Sequence, residues 1–455
     1  MAEKAKFGSR IGLIAATVGS AVGLGNVWRF PAEVQSNGGA AFLLIYILCV
    51  LILGVPVMLS EFALGRGGQS DAVGVFKRFS PRSGWWVAGA LSILASYLIV
   101  IFYMVVAGWT LEYFFESVTG ELYSSTAGAG DATLNATFHH RMENYVQGVS
   151  GPVIFTIAMI ILNGGVLMMG VRKGIEKVSN ILMPMLFILL VIFAIVSCSL
   201  PGSGEGIKFF LSPDFSKITP QVVISALGQA FFSLSLGMGI LITYSAYYPH
   251  ETKLGTTGLT VSALDLTVAL LMGFVIFPAI TSFGLAGEEL RGATLVFVTL
   301  PEVFANMGAP QFWSSLFFLL LFVAALTSTI SISEVSVAFI QDRFHRSRTT
   351  ACLIVLVPLL VLSPVCALSF GVLGDFKIIG LNLFDFLDTV ATNIMLPVVS
   401  ILICIYMGWF APKDLFRNEL TNHGSIKMRL YPLVLFVVKY VAPVLIAIVL
   451  ISSFL

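Results

Sequence analysis

Eleven apolar stretches, each long enough to cross a bilayer, constrain this chain more than any other feature. They run over about 10–34, 40–64, 85–116, 152–169, 176–199, 221–247, 256–285, 312–341, 350–370, 380–408 and 430–454. In hydrocarbon every backbone N–H and C=O must find its partner within the protein, so the stretches read as spanning helices. The expected fold class is therefore an all-α polytopic membrane protein. Only 11% of the 455 residues are charged, where a soluble domain carries roughly 25%. A net charge of +1 offers nothing to a nucleic acid. Cys49, Cys198, Cys352, Cys366 and Cys404 lack metal-site spacing, and His139, His140, His250, His345 and His423 all fall in loops. A membrane-embedded enzyme would need a base or ligands at mid-depth, so the chain reads as a non-enzyme. Eighteen of the 25 Lys and Arg residues fall on one side of the eleven segments and five on the other. The positive-inside rule then puts the N-terminus in the cytoplasm and, with an odd span count, the C-terminus outside a plasma or inner membrane.

The first segment contains a contradiction. Gly19-Ser20-Ala21-Val22-Gly23-Leu24-Gly25-Asn26, followed by Val27-Trp28-Arg29-Phe30-Pro31, is poor helix interior inside a span. Each Gly costs roughly 1 kcal/mol against Ala, and a charge at the bilayer centre costs about 3 kcal/mol unless paired. Such a break is tolerated only where it is buried in protein or lines a wet cavity. Its freed carbonyls suit a cation, and the N–H groups opening the next half-helix suit an anion. The sixth segment repeats the anomaly at Phe232-Ser233-Leu234-Ser235-Leu236-Gly237-Met238-Gly239. Breaks in the first and sixth spans suggest two five-helix repeats, about 10–199 and 221–408, with 430–454 as an extra helix of one transport domain. Odd-numbered repeats enter the membrane from opposite sides and are thus inverted.

Gly19–Pro31, Asn37-Gly38-Gly39 and Gln229–Gly239 resemble the neurotransmitter:sodium symporter family, in particular its bacterial LeuT/MhsT-like amino acid transporters. The resemblance implies the LeuT fold, alternating access and sodium-driven import. It places a first Na+ at the Ala21 carbonyl, Asn26, Ser233 and Asp265, with the substrate carboxylate. A second Na+ falls at the carbonyls of Gly19, Val22 and Ala324 with the hydroxyls of Thr327 and Ser328. Hard cations take such oxygen ligands.

The same resemblance puts the substrate carboxylate on the amides of Leu24 and Gly25 and on the Tyr103 hydroxyl. Ala21 and carbonyls near Phe232 and Ser235 take the amino group. Ile99, Phe232, Met238, Ser328 and Ile332 surround the side chain, with Ser20 where other members carry a larger Asn. Amine-transporting members carry Asp at the position of Gly23; Gly implies a substrate that brings its own carboxylate, a hydrophobic L-amino acid. Arg29 with Asp385 forms the outer gate, and Lys4, Asp342 and Tyr247 the inner one. Gly174 and Pro184 match a pattern that marks an unwinding fifth span. Asp265, with Ala269 one turn on, implies a fixed carboxylate in place of chloride, so transport is expected to be chloride-independent. A transporter-like amino-acid sensor without coupled flux is the alternative reading.

Overall fold

The computed structural model describes residues 6–124, 131–285 and 292–454. Nine helices in these residues are long and apolar enough to cross a bilayer on their own. They are Ala40–Gly68, Trp86–Thr119, Ser150–Met168, Val171–Cys198, Leu254–Ser282, Pro310–Phe344, Arg348–Phe370, Leu383–Phe410 and Tyr431–Ser452. Two broken pairs complete the eleven. Arg10–Ala21 and Gly25–Ser36 are bent by 54° at the first break. Pro220–Ser233 and Ile240–Ser245 flank the second, at residues 234–239. Below, these are spans 1 to 11 in chain order.

Local chemistry sets the ends of the broken helices. Ser9 caps span 1 by accepting the Gly12 N–H at 2.9 Å, and Thr219 caps span 6 by accepting that of Val222 at 3.3 Å. Pro220 follows at the first helical position, where its missing N–H costs nothing. In the second break Ser235, Gly237 and Gly239 all take left-handed backbone, with φ of 54°, 78° and 71°. Two of these three are glycines, which adopt it without penalty.

Burial orders the bundle. In span 8, 78% of the most apolar window is buried, against 28% in span 11, so span 8 is central and span 11 peripheral. Span 8 packs along span 3, and both line the first break. Span 5 leaves Ile181, Ile188 and Ile195 exposed at seven-residue spacing, a stripe that faces lipid. Gly174 sits in a wide helical turn, Val171–Glu176, where a Cβ would lie 2.1 Å from the Val166 carbonyl. The stretch from Gly174 to Pro184 is helical in this structure. Lys439 in span 11, unexplained by sequence, lies 4.0 Å from the Trp409 ring centre. Arg66, at the end of span 2, is buried against Glu419 at 2.6 Å and also reaches the Thr252 carbonyl, tying two loops to the bundle.

Candidate functional site

The two breaks face each other at the centre of the bundle. Asn26, just past the first break, is wholly buried, and its Nδ2 donates to Asp265 Oδ1 of span 7 at 2.9 Å. Ser233, at the second break, donates to the other carboxylate oxygen at 2.7 Å. Tyr46 donates to Ser233 at 3.2 Å, and Gln229 donates to the Gly25 carbonyl at 3.2 Å. Four spans thus converge on one buried carboxylate that has no Lys, Arg or His beside it among the described residues. A buried carboxylate without an organic cation is costly, and a bound metal cation relieves it. No three His, Cys, Asp or Glu side chains cluster among the described residues. One carboxylate with neutral oxygens therefore suits a monovalent, hard cation.

The second expected ion position is also brought together. Ser328 donates to the Val22 carbonyl at 3.3 Å across spans 1 and 8. Thr327 donates to the carbonyls of Val323 and Ala324, each at 3.1 Å. A Cβ on Gly19 would lie 3.3 Å from Thr327 Cβ, so the two helices touch at this point. Close approach there depends on glycine.

Between the two positions stand the residues expected to hold the substrate. The Leu24 N–H, opening the second half of span 1, donates to the Tyr103 hydroxyl at 3.2 Å. Ser235 donates to the Ser20 carbonyl at 2.8 Å, bridging the two breaks beside Ala21. The Met238 carbonyl is held by Ser96 of span 3. Ile99, Met238 and Ile332 are all buried, and the Phe232 ring lies against Gly25, where a Cβ would come within 2.7 Å. A Cβ on Gly23 would stand 2.6 Å from Ser328 Oγ and 2.9 Å from the Tyr103 hydroxyl oxygen. The Tyr103 and Ser328 hydroxyls and the start of the half-helix thus meet beside an apolar wall.

The sequence matches the family described as the Sodium:neurotransmitter symporter family over residues 4–148 and 136–455. It is 35% identical over 449 residues to the uncharacterized sodium-dependent transporter YhdH of Bacillus subtilis, covering 98% of this chain and 96% of that one. The chain belongs to the sodium:neurotransmitter symporter family. A crystal structure of MhsT in complex with L-phenylalanine superimposes with a TM-score of 0.88 at 39% identity, over 99% of this chain and 100% of that one. The sodium-dependent serotonin transporter of Drosophila melanogaster is 29% identical over 484 residues, covering 98% of this chain and 76% of its own. The fold is thus the LeuT fold, with its two inverted five-helix repeats, and the protein is a sodium-dependent transporter.

In this symporter the gate residues are arranged differently from the sequence reading. Arg29 does not meet Asp385. Asp385 sits three residues after Asn382, and the two cap the start of span 10 reciprocally, at 2.8 Å each way. Arg29 instead pairs with Glu33 at 3.8 Å and lies 4.7 Å from the Phe232 ring centre. The span 10 carboxylate that borders the same recess as Arg29 and Glu33 is Asp388, held by Thr392 at 3.1 Å. Asp385 and Asp388 lie three apart on one helix, so spacing alone does not separate them.

At the other end, Lys4 lies outside the described residues. Asp342 accepts the N–H of Asp71, at 2.8 Å, where the short helix Ala72–Phe79 begins. Tyr247 donates to Glu334 at 2.8 Å, and its carbonyl accepts the Phe7 N–H at 3.0 Å. Glu334, wholly buried, is gripped by both terminal nitrogens of Arg348, at 2.7 and 2.5 Å. Glu176 of span 5 holds the N-terminal turn, accepting from the Gly8 N–H at 2.7 Å and the Ser9 hydroxyl at 2.8 Å. Arg348 and Glu176 escape the sequence reading because each looks like an ordinary charge at a helix end. Removing one partner of a buried ion pair costs about 3–5 kcal/mol. Arg348→Gln should therefore loosen this end and raise the labelling rate of a cysteine introduced at Ser331 by about 100-fold. An unchanged labelling rate would mean that the pair does not close this end.

Proposed function

We propose that this symporter imports hydrophobic L-amino acids, among Leu, Ile, Val, Met, Phe, Tyr and Trp, with two sodium ions per cycle and without chloride. Gly23 carries the proposal. A Cβ there would have to displace the Ser328 and Tyr103 hydroxyls, which stand where a protein carboxylate would reach. A substrate carboxylate can then bridge the Leu24 and Gly25 amides and Tyr103, and complete the first sodium shell beside Asn26 and Asp265. The segment-six carbonyls beside Ser235 receive the ammonium group. Ile99, Phe232, Met238 and Ile332 offer an apolar wall, and Met adapts to side chains of different shape. The phenylalanine bound in MhsT, at 39% identity, is consistent with this class. The serotonin transporter relative is more distant at 29%.

Alternating access follows from the same parts. With the N-terminus cytoplasmic, the recess bordered by Arg29 and Asp388 opens outward, and the Tyr247–Glu334–Arg348 cluster closes the inner side. Ions and substrate stitch span 1 to spans 6, 7 and 8, which favours the arrangement in which the breaks are in register. In proteoliposomes with an inward sodium gradient, labelled leucine or phenylalanine should accumulate and other members of the set should compete. Dopamine and serotonin should not. Tight monoamine binding with no competition by these amino acids would overturn the substrate class. Amino-acid binding without sodium-driven accumulation would identify a sensor instead.

A further inference from the structure

Away from the central site, spans 3, 8 and 9 leave a cavity of about 410 Å³ between them, floored by the helix Ala72–Phe79. Its walls are mostly apolar: Ala90, Ile93 and Leu94 of span 3, Phe339 and Ile340 of span 8, and Val73 of the short helix, with the Ser336 hydroxyl of span 8 among them. The one hydroxyphenyl group on the wall, Tyr97, already donates to the Val355 carbonyl at 3.2 Å. Leu94 and Ile354, at 48% and 46% exposure, open the cavity sideways to the lipid-facing surface.

The mouth differs from the walls. One helical turn below Ala90 is Trp86, 42% exposed, with the Lys77 ammonium 5.3 Å from its ring centre. Lys77 is four residues from Val73 and so continues the same face of its helix. Arg343 stands four residues from Phe339, also one turn below the wall, and is exposed. Neither Arg343 nor Lys77 forms an ion pair among the described residues, and the Lys77 ammonium lies over the Trp86 ring. The acidic groups nearby are engaged: Asp71 caps its own helix, and Asp342 accepts the Asp71 N–H. Trp86 marks the depth of a membrane interface, and a rise of 1.5 Å per residue puts Ala90 to Leu94 about 6–12 Å deeper, at acyl-chain level.

We infer that this cavity holds one acyl chain of an anionic phospholipid, whose phosphate sits between Lys77 and Arg343 on the Lys- and Arg-rich side of the bundle. An apolar slot opening to lipid selects a chain, and two cations at its mouth select the charge of the headgroup. A zwitterionic lipid gains the first contribution and little of the second. The site is independent of the transport reading, because neither the cavity nor its mouth touches the substrate or ion positions.

Native mass spectrometry of the purified full chain, titrated with phosphatidylglycerol or phosphatidylcholine of matched chains, tests this. Two interfacial cations predict about 30-fold tighter binding of phosphatidylglycerol to one site. The double variant Lys77→Gln, Arg343→Gln, which alters two residues outside the core, should bring the ratio near unity while phosphatidylcholine binding persists. Ala90→Phe, which fills the slot, should remove that site for both lipids; size-exclusion chromatography reports whether it folds. Equal affinities in the wild type, or a preference that survives the double variant, would overturn the inference.

Discussion

Thr327→Ala should abolish most sodium-driven uptake while leaving the protein folded. The hydroxyl lies on span 8 where Gly19 permits close contact, and its present partners are carbonyls of its own helix at 3.1 Å. Those carbonyls remain in the helical ladder when the hydroxyl is gone, and Ala favours helix more than Thr, so the fold tolerates the change. A sodium ion bound there, as proposed, would however lose a ligand at a buried position. Hydrogen bonds and ligands to charged groups contribute about 1.5–3 kcal/mol, so sodium affinity should fall about 10- to 100-fold. The consequence for transport is larger. A tenfold gradient contributes about 1.4 kcal/mol per ion and 100 mV about 2.3 kcal/mol. Two ions together support about a 10⁵-fold substrate gradient, and one ion only about 500-fold. Uptake into proteoliposomes and equilibrium substrate binding, both against sodium concentration, measure the two effects separately. Unchanged uptake would rule out a second ion at Thr327.

Replacing chloride by gluconate should leave wild-type uptake intact. The two proposed sodium ions against one substrate carboxylate would leave excess positive charge in a poorly solvated site, where unbalanced charge is costly. In the proposed cycle Asp265 would supply the missing anion from the protein itself. Ser233, hydrogen-bonded by Tyr46, donates to this carboxylate at 2.7 Å, and Gln229 lies beside it at the Gly25 carbonyl. Tyr46, Gln229 and Ser233 are the positions at which the resemblance to animal members puts chloride, and the carboxylate takes up two of these three donors, Ser233 and Tyr46, while Gln229 donates to the Gly25 carbonyl. Ala269, one turn along span 7, is buried and uncharged. Asp265→Asn should therefore weaken sodium binding by about 100-fold, with chloride restoring part of the loss. Isothermal binding and uptake in chloride and gluconate media test both statements. Wild-type transport that stops in gluconate would show that Asp265 serves sodium alone.

The reach of the sequence differs from one residue to the next. Eleven spans were legible because apolar length is a local property, and their limits moved by only a few residues in the structure. The two breaks were legible because glycine and serine runs are anomalous in hydrocarbon. Gly237 and Gly239 indeed occupy left-handed backbone, as does Ser235, which a β-carbon makes less comfortable there. Asn26, Ser233 and Asp265 stood out as polar groups in apolar spans, but only the resemblance suggested that they meet.

Partner choice belongs to the tertiary structure. Asp385 and Asp388 share a helix face, and nothing in their spacing tells which is drawn into a cap and which borders the recess with Arg29. Arg348, read as one more basic residue between spans, closes on the buried Glu334 because spans 8 and 9 bring a helix start beside it. Glu176 holds the N-terminal turn across 168 residues of chain. Gly23 tells the same story in steric terms: its composition says only that a side chain is absent. The distances to Ser328 and Tyr103 show which hydroxyls a side chain would have to displace. Sequence alone determined the solvent, the spans and the weak points, because each depends on neighbours along the chain. Which charges pair, and which glycine leaves room for a ligand, were decided only where separate helices meet.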